Sequence, residues 1–180
     1  MRKALLCVVV LSLACTPLLA GAQEKETPGS ASKPAAAAHP GFERLKSLVG
    51  EWEGKTSTGA ALRASYKLMS SGTVLVESLN TADGTDMITV YHPDGDRLMV
   101  THFCASNNQP RMATRPGVPD SGPFVFDFVD VTNLENSREG VMTGVTVAIQ
   151  DADHFSQTWT FRDKPGGAAQ TDTFQYARKK

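Results

Sequence analysis

His102 and Cys104, two residues apart, lie in the stretch of the 180-residue chain that is richest in chemically capable side chains. That stretch, Met87 to Arg111, also carries His92, Asn107, Asn108, Gln109 and Arg111. An imidazole and a thiol can ligate zinc if a third donor joins them, and Glu77 is the available acid. A thiol beside a base can also act as a nucleophile. Side chains two apart on a strand share a face, but their Cα atoms stand about 7 Å apart. Direct His102–Cys104 chemistry therefore requires particular rotamers. The plainer reading is a hydrogen-bonded core histidine next to a buried, inert thiol.

Hairpins must position these groups. Asp94-Gly95 is a strong two-residue turn, because both residues tolerate the positive φ of tight hairpin turns. With Pro93 opposite Asp96, Tyr91 faces Leu98, Thr89 faces Val100 and Met87 faces His102. Alternation then puts Met87, Thr89, Tyr91, Leu98, Val100, His102 and Cys104 on one face. This is the expected interior, since it lacks charge and leaves His92 and Arg97 in water. A second hairpin turns at Ser71-Gly72, so that Leu68 faces Leu75, Tyr66 faces Glu77 and Ala64 lies beside Leu79. It carries an acid inward, and a buried carboxylate needs donors, a cation or a proton. Tyr66 is a built-in donor and Arg111 the expected cation. Residues 105–122, rich in proline and glycine, read as a loop with a short edge strand around 111–114. They place Asn107, Asn108, Gln109 and Arg111 at a barrel mouth.

The wider chain supports that frame. One short helix is expected over 39–50, with Pro40 near its start and Gly50 at its stop. Strands are expected near 51–57, 61–69, 73–80, 86–92, 97–105, 123–131, 141–150, 154–162 and 170–178. Sequential strands joined by short turns predict an all-β, antiparallel up-and-down barrel of about nine to ten strands, which leaves no sheet edge exposed. Residues 39–180 form this single domain. Residues 1–22 read as a cleavable secretory signal: Arg2 and Lys3 precede an apolar run, and Ala20-Gly21-Ala22 is a small-residue cleavage site. Lipidation at Cys15 is the rival processing. The apolar run is too short for a membrane span. Residues 23–38, QEKETPGSASKPAAAA, lack large apolar side chains and read as a flexible tether. Cleavage after Ala22 removes Cys7 and Cys15 and leaves Cys104 alone, in a secreted or periplasmic protein. The whole chain has a formal charge of −1, which argues against nucleic acid as a partner.

LVGEWEG at 48–54, SYKLMSSGTVLVESL at 65–79, the Met87–Met112 stretch and DADHFSQTWTF at 151–161 together resemble an uncharacterised family of secreted bacterial proteins with lipocalin-like, or calycin-like, barrels. The most specific part is Thr101-His-Phe-Cys104 followed by Asn108-Gln-Pro-Arg111. The resemblance covers almost all of the chain from residue 41 and implies the fold, with no settled activity. The Gly50-Glu-Trp-Glu-Gly54 start is also similar to the haem-carrying nitrobindins, which ligate iron through a histidine near the C-terminus. The last strand here, TDTFQYARKK, has no histidine, so a haem would have to use His102.

The expected function is non-enzymatic binding of a small, partly apolar ligand in the barrel interior. Its contacts would be Tyr66, Glu77, Met87, Thr89, Tyr91, Val100, His102 and Cys104, with Asn107, Gln109 and Arg111 at the mouth. One alternative is an enzyme using His102, Cys104 and Glu77. Another is a filled barrel that binds a protein on its outer wall. No cofactor or metal is expected: no dense ligand spacing supports zinc, and the Asp151–His154 turn lacks the pattern of a calcium loop.

Overall fold

A computed structural model describes residues 39–117, 121–136, 140–164 and 166–180. The signal and tether expected over 1–38 lie outside these residues. Helix α1 spans Pro40–Leu45, and a 3-10 turn follows over Lys46–Leu48. The strands are β1 (Gly50–Lys55), β2 (Ala61–Met69), β3 (Val74–Thr81), β4 (Asp86–Asp94), β5 (Arg97–Phe103), β6 (Gln109–Ala113), β7 (Phe124–Thr132), β8 (Val141–Ile149), β9 (His154–Arg162) and β10 (Ala169–Arg178). Each pairs antiparallel with its sequence neighbour, and β1 pairs with β10 to close a barrel.

The strands form where apolar residues alternate. In β9, Phe155, Gln157 and Trp159 are buried while His154, Ser156 and Thr158 are more open. Inward residues from every strand join one core, which includes Trp52, Tyr66, Leu75, Leu79, Tyr91, Leu98, Val100, Phe124, Phe126, Val145, Val147 and Tyr176. Burying each large apolar side chain contributes roughly 1.5–3 kcal/mol. Gly54 lies where neighbouring chains approach closely. A Cβ there would stand 2.6 Å from the Gln175 carbonyl oxygen and 2.7 Å from Tyr176 Cδ1.

One barrel end is stoppered. His39 Nδ1 accepts from the Phe42 amide at 3.3 Å and caps α1, and Pro40 occupies the first turn. Phe42, Leu45 and Leu48 are buried in the barrel core. Trp52 Nε1 donates to the Leu48 carbonyl at 2.7 Å, and the Arg44 guanidinium lies 4.3 Å over the Phe124 ring. The helix thus reaches from β1 to β7, strands well apart in the ring. Arg178 fixes the exit: it lies 4.1 Å over the Trp52 ring and donates to the carbonyls of Ser47, Val49 and Ala152.

The second hairpin has the expected register, with Leu68 opposite Leu75, Tyr66 opposite Glu77 and Ala64 opposite Leu79. The first hairpin differs. Its turn is Gly95-Asp96, with Asp94 opposite Arg97, so Tyr91 pairs with Val100 and Thr89 with His102. Gly95 has φ +65° and takes the first central position. That is the place a glycine-led hairpin turn requires, and here the unsubstituted residue carries the positive φ in place of Asp94. Arg97 and Asp94 then meet as an ion pair at 2.7 Å. Each residue keeps its expected face, because the slip moves the pairing by two. The expected loop after residue 105 also differs, since Gln109–Ala113 is a wall strand between β5 and β7.

The wall splits between β7 and β8. Their ladder ends at Asp127–Gly144, and beyond it Phe128–Thr132 pair only with β6 and Val141 and Met142 only with β9. Register shifts at Arg111/Met112 and Met142/Gly144 accompany the split.

Candidate functional site

The slipped register assembles a row of polar residues across four strands, all facing inward: Tyr66, Glu77, Thr89 and His102. Each is buried, with 0–2% of its surface exposed. From the far wall, β9 contributes Gln157 and Trp159, and β10 contributes Tyr176.

Glu77 is the centre of the row. Its carboxyl accepts from Tyr91 Oη at 2.9 Å and from Gln157 Nε2 at 3.0 and 3.1 Å, and Tyr66 and Thr89 flank it as cross-strand partners. Desolvation raises its pKa above the ordinary carboxylate value, and these donors pull it part of the way back. The same burial, with the Glu77 charge nearby, raises the phenol pKa values of Tyr66, Tyr91 and Tyr176, so all three stay protonated donors. Gln157 is oriented by Trp159, whose indole N–H can only donate and does so to Gln157 Oε1 at 3.2 Å. Tyr176 Oη donates to the same oxygen at 3.1 Å. The Gln157 amide nitrogen therefore faces Glu77, and it also lies 3.0 and 3.1 Å from the hydroxyls of Tyr66 and Tyr91.

His102 extends this network towards the end opposite α1. Its Nδ1 lies 3.0 Å from Thr89 Oγ1, and its ring packs on Trp159 with centroids 4.6 Å apart. Burial pulls its pKa down to about 4, so the ring is neutral at pH 7. Its Nε2 is buried without a hydrogen-bond partner. The oxygen Oδ1 of Asn108 is also buried and unpartnered, while Asn108 Nδ2 donates to the Gly140 carbonyl at 3.1 Å. Buried polar atoms are seldom left unpaired, so both need an explanation.

The remaining expected residues divide. Val100 is fully buried in the core, and Met87 is partly buried against it. Cys104 is a half-buried free thiol whose backbone closes the β5–β6 turn: its N–H donates to the Asn108 carbonyl at 3.1 Å. Asn107 holds φ +67°, a conformation asparagine tolerates, and its side chain lies in the exposed turn. Gln109 accepts from Thr132 Oγ1 at the rim. Arg111 is not the expected cation for Glu77. It is exposed on the outer wall and forms a two-point ion pair with Asp130, which holds its own pKa up and that of Asp130 down. Its position one residue after inward Pro110 turns it outward. Among the described residues no cluster of three His, Cys, Asp or Glu side chains could hold a metal, so Glu77, His102 and Cys104 do not converge as a zinc set.

The sequence reading missed Gln157 and Tyr176, and it placed Asn108 at the mouth, where the structure buries it. Gln157 had a visible signal, since it is the polar residue on the apolar phase of HFSQTWTF. An open trough of about 720 Å³ runs along the outer wall past Glu53, Lys55, Arg63, His154 and Gln175, away from the polar row.

No family model matches the chain, and no curated protein matches it. Solved structures do. Rv2717c from M. tuberculosis aligns with a TM-score of 0.60 at 14% identity, over 78% of this chain and 98% of its own. A protein of unknown function from the DUF3598 family of Nostoc punctiforme aligns with a TM-score of 0.51 at 12% identity, over 75% of this chain but only 48% of its own. The structure titled EF1p2_mFAP2b bound to DFHBI aligns at 13% identity over 77% of this chain and 98% of its own; its TM-score of 0.37 is too low to carry an argument. No described helix is long and apolar enough to cross a membrane. At these identities the likeness is one of fold: this chain is a closed antiparallel β-barrel of the kind seen in Rv2717c.

Proposed function

We propose that this protein is a secreted, non-enzymatic barrel that binds a small, partly apolar ligand at the end opposite α1, with His102 as the polar anchor. The observation that carries this reading is the unpartnered Nε2 of His102, held in place by Thr89 and Trp159. A ligand that fills this point satisfies the nitrogen and gains the aromatic wall beside it. The stoppered end makes the opposite mouth the route of access. Catalysis by His102 and Cys104 is the weaker reading, because an imidazole with a pKa of about 4 is a poor base at neutral pH.

The filled barrel with an outer binding surface remains the rival. Tyr66, Glu77, Tyr91 and Val100 expose at most 1% of their surfaces, so the middle of the barrel holds side chains rather than open space. Ile88 and Phe103, a cross-strand pair, are 45% and 46% exposed on the outer wall. Native mass spectrometry of the protein purified from its own cells, beside His102→Ala, separates the two. A bound mass that the variant loses is the expected result. An empty mass for both proteins moves the function to the outer wall.

A further inference from the structure

Arg63 is the one arginine among the described residues whose side chain makes no hydrogen bond, ion pair or ring contact. Arg97 pairs with Asp94, Arg111 with Asp130, Arg115 with Asp127 and Arg178 with Asp153, while Arg44 and Arg162 donate to backbone carbonyls. Exposure does not explain the exception, since the Arg115 side chain is 92% exposed and still meets its acid. Nor does a lack of neighbours. Glu53 stands directly across the β1–β2 ladder from Arg63, and the two side chains remain unpaired. Both line the open trough of about 720 Å³ on the outer wall, and so does Lys55, which is also without a partner.

The strand register sets the layout of this trough. Lys55 lies opposite Ala61, two residues before Arg63, so the two cations are diagonal neighbours. Such neighbours stand about 7–8 Å apart, and two long side chains can reach one group held between them. Ala61 and Ala177, the latter opposite Glu53, put small side chains among the charged ones. Asn80 lies across from Arg63 and Gln175 across from Lys55, which sets a neutral donor and acceptor on each flank. His154, at the far end, is engaged by Asp151 at 3.0 Å. Two unpaired cations against one unpaired acid leave a local excess of positive charge, in a chain whose formal charge is −1. A concave surface of that sign attracts anions. The guanidinium fork matches the two oxygens of a carboxylate or phosphate. The volume falls within the range of small-molecule sites, roughly 300–1,000 Å³, and is larger than a bare ion needs.

We propose that this trough binds a small hydroxylated oxyanion, of the sugar-acid or sugar-phosphate class, with the charged group on Arg63 and Lys55 and the hydroxyls on Asn80 and Gln175. The site is on the outer wall and is independent of what the interior holds.

Glucuronate, glucose-6-phosphate and glucose share one hydroxylated ring, and glucose lacks the anion. Each is titrated into the full chain at pH 7 and fixed ionic strength, with calorimetry for affinity and the arginine Nε–H resonances for location. The Arg63 resonance is expected to move saturably with at least one of the two anions, and the tighter of the two identifies the charged group. Glucose should bind at least about tenfold more weakly, the loss of one charge-assisted hydrogen bond. Arg63→Gln and Lys55→Gln should each weaken the anion by a similar factor, and both side chains are exposed, so neither change disturbs the core. Arg111, tied to Asp130, should stay still and reports any general effect of salt. A shift that does not saturate, equal shifts at Arg63 and Arg111, glucose binding as tightly as the anions, or undiminished binding in Arg63→Gln overturns the proposal. Each of these outcomes leaves Arg63 as a solvated surface charge.

Discussion

Thr89 Oγ1 lies 3.0 Å from His102 Nδ1, directly across the β4–β5 ladder, and Thr89 is also the cross-strand partner of Glu77 on β3. One threonine thus stands between the acid and the imidazole. Thr89→Val keeps the shape and removes the bond to His102. It should destabilise the fold by about 1–3 kcal/mol, since it leaves buried polar atoms unpaired. It should also release the His102 tautomer, visible as mixed ring ¹⁵N shifts. A variant with one unchanged tautomer would mean that Thr89 does not set it.

His102 makes stability depend on pH. Its folded pKa of about 4 lies below the ordinary value of 6.5, so between these values the unfolded chain binds the extra proton. Stability from this group is present above pH 6.5 and is lost as pH falls towards 4, by about 3 kcal/mol. Glu77 acts in the opposite sense: its folded pKa is raised, so its contribution is lost as pH rises through that value. Urea unfolding of wild type and His102→Leu across this range isolates the histidine. The advantage of wild type should shrink on acidification, and a constant difference would show that His102 does not titrate as described.

Gln157 joins the two sides of the polar cluster, with its nitrogen on Glu77 and its oxygen on Trp159 and Tyr176. Gln157→Leu strands a buried carboxyl and two donors at once. The expected cost is about 3–5 kcal/mol, the range for breaking a buried charged network. Denaturant titration measures it. A loss under 1 kcal/mol would mean that the remaining tyrosines satisfy Glu77 without help.

Two arginines that look alike in the sequence should behave differently. Arg111 pairs with Asp130 on an exposed wall, and Arg111→Ala should leave the thermal midpoint nearly unchanged. Arg178 is stacked on Trp52 and bonded to three carbonyls that fix the α1 end. Its removal should cost about 2–3 kcal/mol, as lost hydrogen bonds to a charged group would. Faster amide exchange around Ser47–Val49 in Arg178→Ala would accompany the loss, and similar thermal midpoints for the two variants would contradict the distinction.

The strands and both hairpin faces were legible because apolar alternation and turn residues are local properties. Tyr66 could be placed opposite Glu77 for the same reason. The Thr89–His102 pairing was not legible, since it depends on whether Asp94 or Gly95 leads the turn, and a slip by two leaves every residue on its expected face. β6 was legible only as a short edge strand around 111–114, because its start at Gln109 and its two partners, β5 and β7, are supplied by tertiary structure while QPRMA shows little alternation. The role of Arg111 depended on parity within that strand. Asn108 could be placed at the mouth, but not its burial, which depends on Gly140, 32 residues on.

The meander also determines how the ring is completed. Nine ladders join sequence neighbours, and one, β1 with β10, joins residues as remote as Trp52 and Arg178. Local hairpins can zip before that contact exists, but the last ladder bears nearly the whole loop-closure entropy of the domain. Folding should therefore be limited by a late joining of the two ends. Cutting the chain at a hairpin tip and linking β10 to β1 would make this ladder local and should move the late step to the cut hairpin, with the interior unchanged.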